Sequence, residues 1–304
     1  MNIKTVALPA LLIPVFVLAG CTSAGISNPT SDSTTTSTSP DVTTAPAPAG
    51  CPDLDISEDF LGDVKPLEPV TDEIGTYCHV TIADTFKSQY HTLETADPTV
   101  AEMGYTEEDL VAAQDFAYKT VAEQVLDSEI LDINADLFPE WVETSGVIAP
   151  STYDSYIEYF NENGNGAASI VSGIFSAPLL REGQTRMSGA VITPKQLSAK
   201  VSSATGNDIL IVEYVAVVTY QSPAANVLAT VKQYRPNLTE PELQEQYPML
   251  FDATLLVSTY SVGVNQGMVL TKQDDGTFQI TGQSTTLNLY GPSTVDTEPL
   301  LTIE

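Results

Sequence analysis

The spacing of apolar residues changes once along the chain, near residue 187. Before it, apolar side chains recur at steps of three and four; after it, they alternate with polar ones. The clearest helical stretch carries Leu110, Ala113, Ala117, Val121 and Val125 on one stripe. Thr106 is placed to cap its start, with Asp109 three residues on, and Glu107 and Glu108 suit the positive end of a helix. Asp115, Lys119 and Glu123 follow each other at steps of four on another face, where they can pair. The spacing therefore predicts a helix over 106–128. Residues 135–146, with the single Trp141, read as a short helical piece. Pro150 opens another helix with Tyr153, Tyr156, Ile157 and Phe160 on one face, ended by the Asn/Gly cluster at 161–166. The apolar piece 167–175 fits helix or strand.

Beyond residue 187 the pattern is that of strands. Residues 187–192 and 196–202 are short alternating runs, and 204–208 is a turn. Residues 209–220 are rich in Val, Ile and Tyr. Residues 222–250 interrupt the strands with four Pro and a short helix opening at Thr239, followed by Pro241 in its first turn. Strands are expected at 253–265, 267–273 and 277–290, the last two joined by a hairpin at Asp274-Asp275-Gly276. The tail from Gly291 reads as loose. Residues 51–104 read as mostly irregular, with one strand at 76–81. Helices first and an antiparallel run of strands afterwards is an α+β order.

The N-terminus departs from this pattern. After Lys4, residues 5–17 form an apolar run of 13 residues containing Pro9 and Pro14. That is short of the ~20 residues a spanning helix needs, and the length is that of the apolar core of a signal peptide. The run ends in Leu18-Ala19-Gly20-Cys21. Residues 22–50 are Ser, Thr, Pro, Ala and Gly without apolar periodicity, a composition that cannot offset its ordering entropy by burial. Such a tether spans about 30 Å as a coil and roughly 90 Å when extended.

The chain of 304 residues holds 11 Lys+Arg against 40 Asp+Glu, a formal charge of -29. That balance repels phosphate backbones and excludes nucleic acid as a partner. Hydrophobic residues make up 42 % of the chain and fall in patterned runs, so the acidity is that of a folded, solvated protein. Of the three cysteines, Cys21 belongs to the N-terminal segment, leaving Cys51 and Cys78 as an even pair. Outside the cytosol an even pair reads as a disulfide, worth roughly 3.5 kcal/mol on a chain-entropy estimate. The alternative is two buried free thiols.

Catalytic and cofactor motifs are absent. The two histidines, His79 and His91, have no spacing for a metal. The sequence contains no H-E-x-x-H, C-x-x-C, S-x-x-K, G-x-S-x-G or phosphate-binding glycine loop. Asp53, Asp55 and Ser57 begin like a calcium loop, but Glu58 and Val64 stand where Gly and a bidentate Glu belong. Asn161, Asn163 and Asn165 lack an acidic first ligand. Tyr153, Tyr156 and Tyr159 read as core-facing aromatics or, alternatively, as a ledge for a sugar ring. No cofactor or metal is expected.

Leu18, Ala19 and Gly20 before Cys21 resemble the lipobox of bacterial lipoproteins of the high-GC Gram-positive type. The resemblance implies cleavage before Cys21 and attachment of lipid to it, holding the protein on the extracytoplasmic face of the cell membrane. The element order over about 105–290, with its closing hairpin, resembles the NTF2-like or cystatin-like group, in which a curved sheet wraps a helix. The expected organisation is a signal peptide at 1–20, a lipidated tether at 21–50, a disulfide-stapled extension at 51–104, an α+β domain at 105–291 and a tail at 292–304. The expected function is a non-enzymatic binding or accessory module of the cell envelope, with an envelope protein or glycan as partner. The alternatives are a pocket enzyme of isomerase or hydrolase type and a structural subunit of an envelope complex.

Overall fold

In a computed structural model, the structure describes residues 61–71, 76–128, 138–163, 185–292 and 301–303. All of them belong to a compact unit that begins at Pro46. Leu18, Ala19, Gly20, Cys21 and Cys51, the tether, the Asn/Gly cluster beyond Asn163 and the piece at 167–175 lie outside the described residues.

The fold is α+β. Strands β1 (Val64–Thr71) and β2 (Thr76–Ile82) form a two-stranded antiparallel sheet. Helices α1 (Pro98–Glu102), α2 (Glu107–Thr120), α3 (Phe138–Thr144) and α4 (Tyr153–Asn163) follow. The second sheet is an antiparallel meander in sequence order: β3 (Met187–Val201), β4 (Asp208–Pro223), β5 (Val257–Lys272), β6 (Phe278–Tyr290) and β7 (Leu301–Ile303). Helices α5 (Ala224–Tyr234) and α6 (Glu240–Gln246) form the connection from β4 to β5, so the insert at 222–250 leaves the strand order sequential.

Helix α2 begins as its sequence requires. The Thr106 hydroxyl accepts from the Asp109 amide at 3.2 Å, and the Asp109 carboxylate accepts from the Thr106 amide at 3.0 Å. Its apolar stripe is buried, and fully buried Ala113 and Ala117 let the helix approach the sheet closely. Tyr118 meets Tyr214 edge to face across that contact, with ring centroids 6.2 Å apart. After Thr120 the helix widens to a π turn over Val121–Leu126. Alternate residues of β4 (Leu210, Val212, Tyr214, Ala216, Val218 and Tyr220) join the core and are fully buried. The other face of the sheet carries exposed Val191 and Val217.

Strands β3 and β6 gain partners outside the long ladders of the meander. On β3, the Ile192 amide donates to the Asp63 carboxylate at 2.6 Å and the Ala199 amide to the Thr99 hydroxyl at 3.1 Å. Around Ala190, the Asp63 amide donates to its carbonyl at 2.9 Å while its own amide donates to the Leu61 carbonyl at 3.0 Å. On β6, β7 pairs with Leu287 to Leu289, and Val147 and Ala149 bond to both sides of Ile280.

Several expectations change. The two runs form one strand, β3 (Met187–Val201), bulged between Pro194 and Gln196, because Pro194 has no amide to continue the ladder. The runs at 253–265 and 267–273 are one strand, since Gly267 stays in register opposite Glu213 and Ser284. The tail, expected loose, supplies β7. The extension at 51–104 is more regular than expected, because β1 pairs with β2 despite Pro66 and Pro69, through a register shift between them.

Candidate functional site

Two polar clusters interrupt the apolar interior. The first gathers where β2, the end of α2, the entry to β3 and the far end of β4 meet. Asp127, just past the π turn, is fully buried. Its Oδ2 accepts from the Val80 amide at 2.7 Å and lies 3.2 Å from His79 Nδ1. Its Oδ1 is 3.5 Å from Nη1 of fully buried Arg186. Arg186 Nη1 also donates to the Ser128 carbonyl at 2.8 Å, and the Tyr220 hydroxyl donates to the Leu126 carbonyl at 2.8 Å.

The arrangement follows from the helix end. The last carbonyls of a helix have no partner within it, and here a guanidinium and a phenol supply the donors. A carboxylate at that end opposes the helix dipole, and Arg186 offsets the conflict with its positive charge. The peptide bonds on either side of Arg186 are also held by the neighbouring strands: Thr185 bridges to Cys78, and the Gln221 amide donates to the Arg186 carbonyl at 3.2 Å. The side chain is thus delivered into the interior by a fixed backbone.

Burial pushes the Tyr220 phenol well above its ordinary range, Arg186 pulling it down and Asp127 adding to the rise. Burial also raises Tyr260, whose ring lies 6.1 Å from that of Tyr220. Both phenols therefore stay protonated, and that of Tyr220 acts as a donor. The imidazole of His79 is 24 % exposed, so it is the member of the Asp127 group that meets solvent. Chemically, the cluster is a buried ion pair that fixes three chain segments and presents one oriented imidazole at its edge.

The second cluster crosses the inner face of the sheet. Tyr214 donates its hydroxyl to Gln266 Oε1, and Gln266 Nε2 donates to Gln283 Oε1 at 3.1 Å. The Tyr118 and Thr285 hydroxyls are buried without a hydrogen-bond partner. Burial pushes Tyr118 and Tyr214 far up, so neither is a base. This belt carries neutral polar groups only.

Of the residues singled out in the sequence, Cys78 is fully buried in β2 and disulfide-bonded, and its partner lies outside the described residues. His91 bonds through its backbone to Gln114, 2.7 Å from its amide and 2.9 Å from its carbonyl, so it ties the extension to α2. Tyr156 packs against the core with its hydroxyl buried, while Tyr153 donates to the Glu143 carbonyl at 3.3 Å. Both tyrosines pack against the core, as the core-facing reading expects; the Tyr159 side chain is outside the described residues. Among the described residues, no three His, Cys, Asp or Glu side chains gather as a metal-binding set. Also among them, no helix is long and apolar enough to cross a membrane.

Sequence reasoning missed Asp127 and Arg186. Nothing selects Asp127 among 40 acidic residues. Arg186 carried a faint signal: one of 11 basic residues, directly before an apolar strand. A scan against protein-family models finds no matching family, and searches of curated proteins and of solved structures find no significant match.

Proposed function

We propose that this chain is a lipid-anchored protein of the extracytoplasmic face of the cell membrane, and that its α+β unit is a non-enzymatic binding or accessory module of the cell envelope. The observation that carries the reading is Leu18-Ala19-Gly20-Cys21, placed between a 13-residue apolar run and a Ser/Thr/Pro-rich tether. One acyl chain holds a protein at a membrane only marginally, so the anchor requires more than one. The disulfide at Cys78 supports an oxidising compartment, and Cys51 is the partner we assign to it.

The unit's architecture supports a fold of the NTF2-like or cystatin-like kind: a sequential antiparallel meander with a long helix packed on its inner face. The buried clusters favour binding over catalysis. The Asp127 carboxylate is occupied by an amide and an ion pair, and the Tyr220 phenol by a carbonyl, so each group serves the fold. The residue next to His79 is a disulfide cysteine, which removes a thiol nucleophile from its side.

The test is Cys21→Ser in the native host, followed by membrane fractionation. The expected outcome is protein in the medium or an uncleaved precursor. Membrane-bound protein at the wild-type mature size contradicts the anchor.

A further inference from the structure

The chain holds three cysteines, and the fold commits one of them. Cys78 is fully buried in β2 and disulfide-bonded. Cys21 and Cys51 are the two sulfurs that can complete that bond. Cys51 and Cys78 are 27 positions apart, Cys21 and Cys51 are 30, and Cys21 and Cys78 are 57. Loop closure weakens only as the 3/2 power of length, so an unfolded chain forms these three pairings in shares of about 46, 39 and 15 %. The bond between Cys21 and Cys51 is thus nearly as frequent as the one we assign. Synthesis order favours it further, because Cys21 and Cys51 are made before Cys78. A wrong bond reaches the interior. Thr185 bridges to Cys78 and leads directly into Arg186, while His79 and Val80, the next two residues of β2, contact the Asp127 carboxylate. A bond between Cys21 and Cys51 leaves the staple open at the strand that positions the buried ion pair.

We infer that alkylation of the Cys21 sulfur precedes oxidation of Cys51 and Cys78, and that the lipid makes the disulfide unambiguous. The inference rests on the lipid anchor proposed above. Two of the three pairings consume Cys21, so anchor and staple compete for one atom, and only one order satisfies both. In the first step the Cys21 thiolate forms a C–S bond to the glyceryl carbon of a diacylglyceryl phosphate-ester donor. The C–O bond to the phosphate breaks, the phosphate ester leaves with that electron pair, and the thiol proton passes to solvent. A thioether has no thiolate with which to enter disulfide exchange. In the second step the Cys51 and Cys78 thiols lose two electrons and two protons to a disulfide-bearing oxidant, which is reduced to a dithiol. In the reverse order about half of the chains would have spent Cys21 before lipid reached it.

The experiment has two arms. In the first, the full unlipidated chain is reduced in denaturant and diluted into non-ionic detergent with oxidised glutathione. The products are quenched by alkylation and mapped by non-reducing digestion and mass spectrometry. With Cys21 free, about half of the disulfide is expected between Cys51 and Cys78, and most of the rest between Cys21 and Cys51. Cys21→Ser, which removes the competing sulfur, should give the bond between Cys51 and Cys78 alone. That bond alone from the chain with Cys21 free overturns the inference and leaves the anchor standing. In the second arm, pulse-labelled chains in the native host are alkylated at intervals. Lipid is expected on chains whose Cys51 and Cys78 still take the alkylating agent. Chains that hold the disulfide while Cys21 is unlipidated overturn the order, and mature protein without lipid on Cys21 overturns the anchor reading as well.

Discussion

Arg186 and Asp127 are the costliest residues in the fold to bury and the most consequential to lose. Taking a carboxylate and a guanidinium out of water costs several kcal/mol each, and removing one partner strands the other. Asp127→Ala should therefore destabilise by about 3 kcal/mol in urea denaturation. Replacing both at once, Asp127→Leu with Arg186→Met, should recover most of that loss, because no stranded charge remains. A double variant as weak as the single one would show that the pair is not the reason. Gly62 is a second residue whose identity is forced. Its φ is +73°, and an added Cβ would lie 2.3 Å from the Ala190 carbonyl oxygen, at the contact that covers β3. Gly206 has a φ of +74° but open space around it. Gly206→Ala should cost about 1 kcal/mol, the left-handed strain alone, and Gly62→Ala about 2 kcal/mol or more. Equal losses would mean that the clash at Ala190 relaxes freely.

At the scale of elements, α2 is fixed by its start. Burial alone would raise the Asp109 carboxyl, but hydrogen bonds from Lys272 and Thr106 outweigh it and hold the group below its ordinary value of 3.8. The Lys272 contact is 2.5 Å and links the helix start to the end of β5. A carboxyl whose value falls on folding stabilises the fold above its unfolded value, and that stabilisation is lost as pH falls through the folded value. Asp109→Asn should therefore lower the thermal midpoint at pH 7, with the gap to wild type closing below about pH 4. A gap that persists at pH 2 would assign the loss to packing.

The same helix shows what a sequence discloses. Its cap and stripe rest on local spacing, so Thr106, Asp109 and the buried alanines were legible. Strand β1 was not, because Pro66 and Pro69 break the alternation and its pairing with β2 spans a register shift. Helix α1 carried a readable start, Asp97 before Pro98, whose carboxylate accepts from the Thr99 amide at 3.0 Å, but its five residues show no period. The Asp127 cluster was invisible for another reason. Its members lie far apart along the chain, and only the meeting of β2, the π turn and β3 brings them together.

For the whole molecule, the proposed arrangement is a folded α+β unit held to a membrane by lipid on Cys21 through a tether. The direct test is the intact mass and fragmentation of the amino-terminal peptide of the mature protein from its own cells. The account predicts a peptide that begins at Cys21 and carries a thioether-linked diacylglycerol. An unmodified peptide, or one that begins at any other residue, would contradict it.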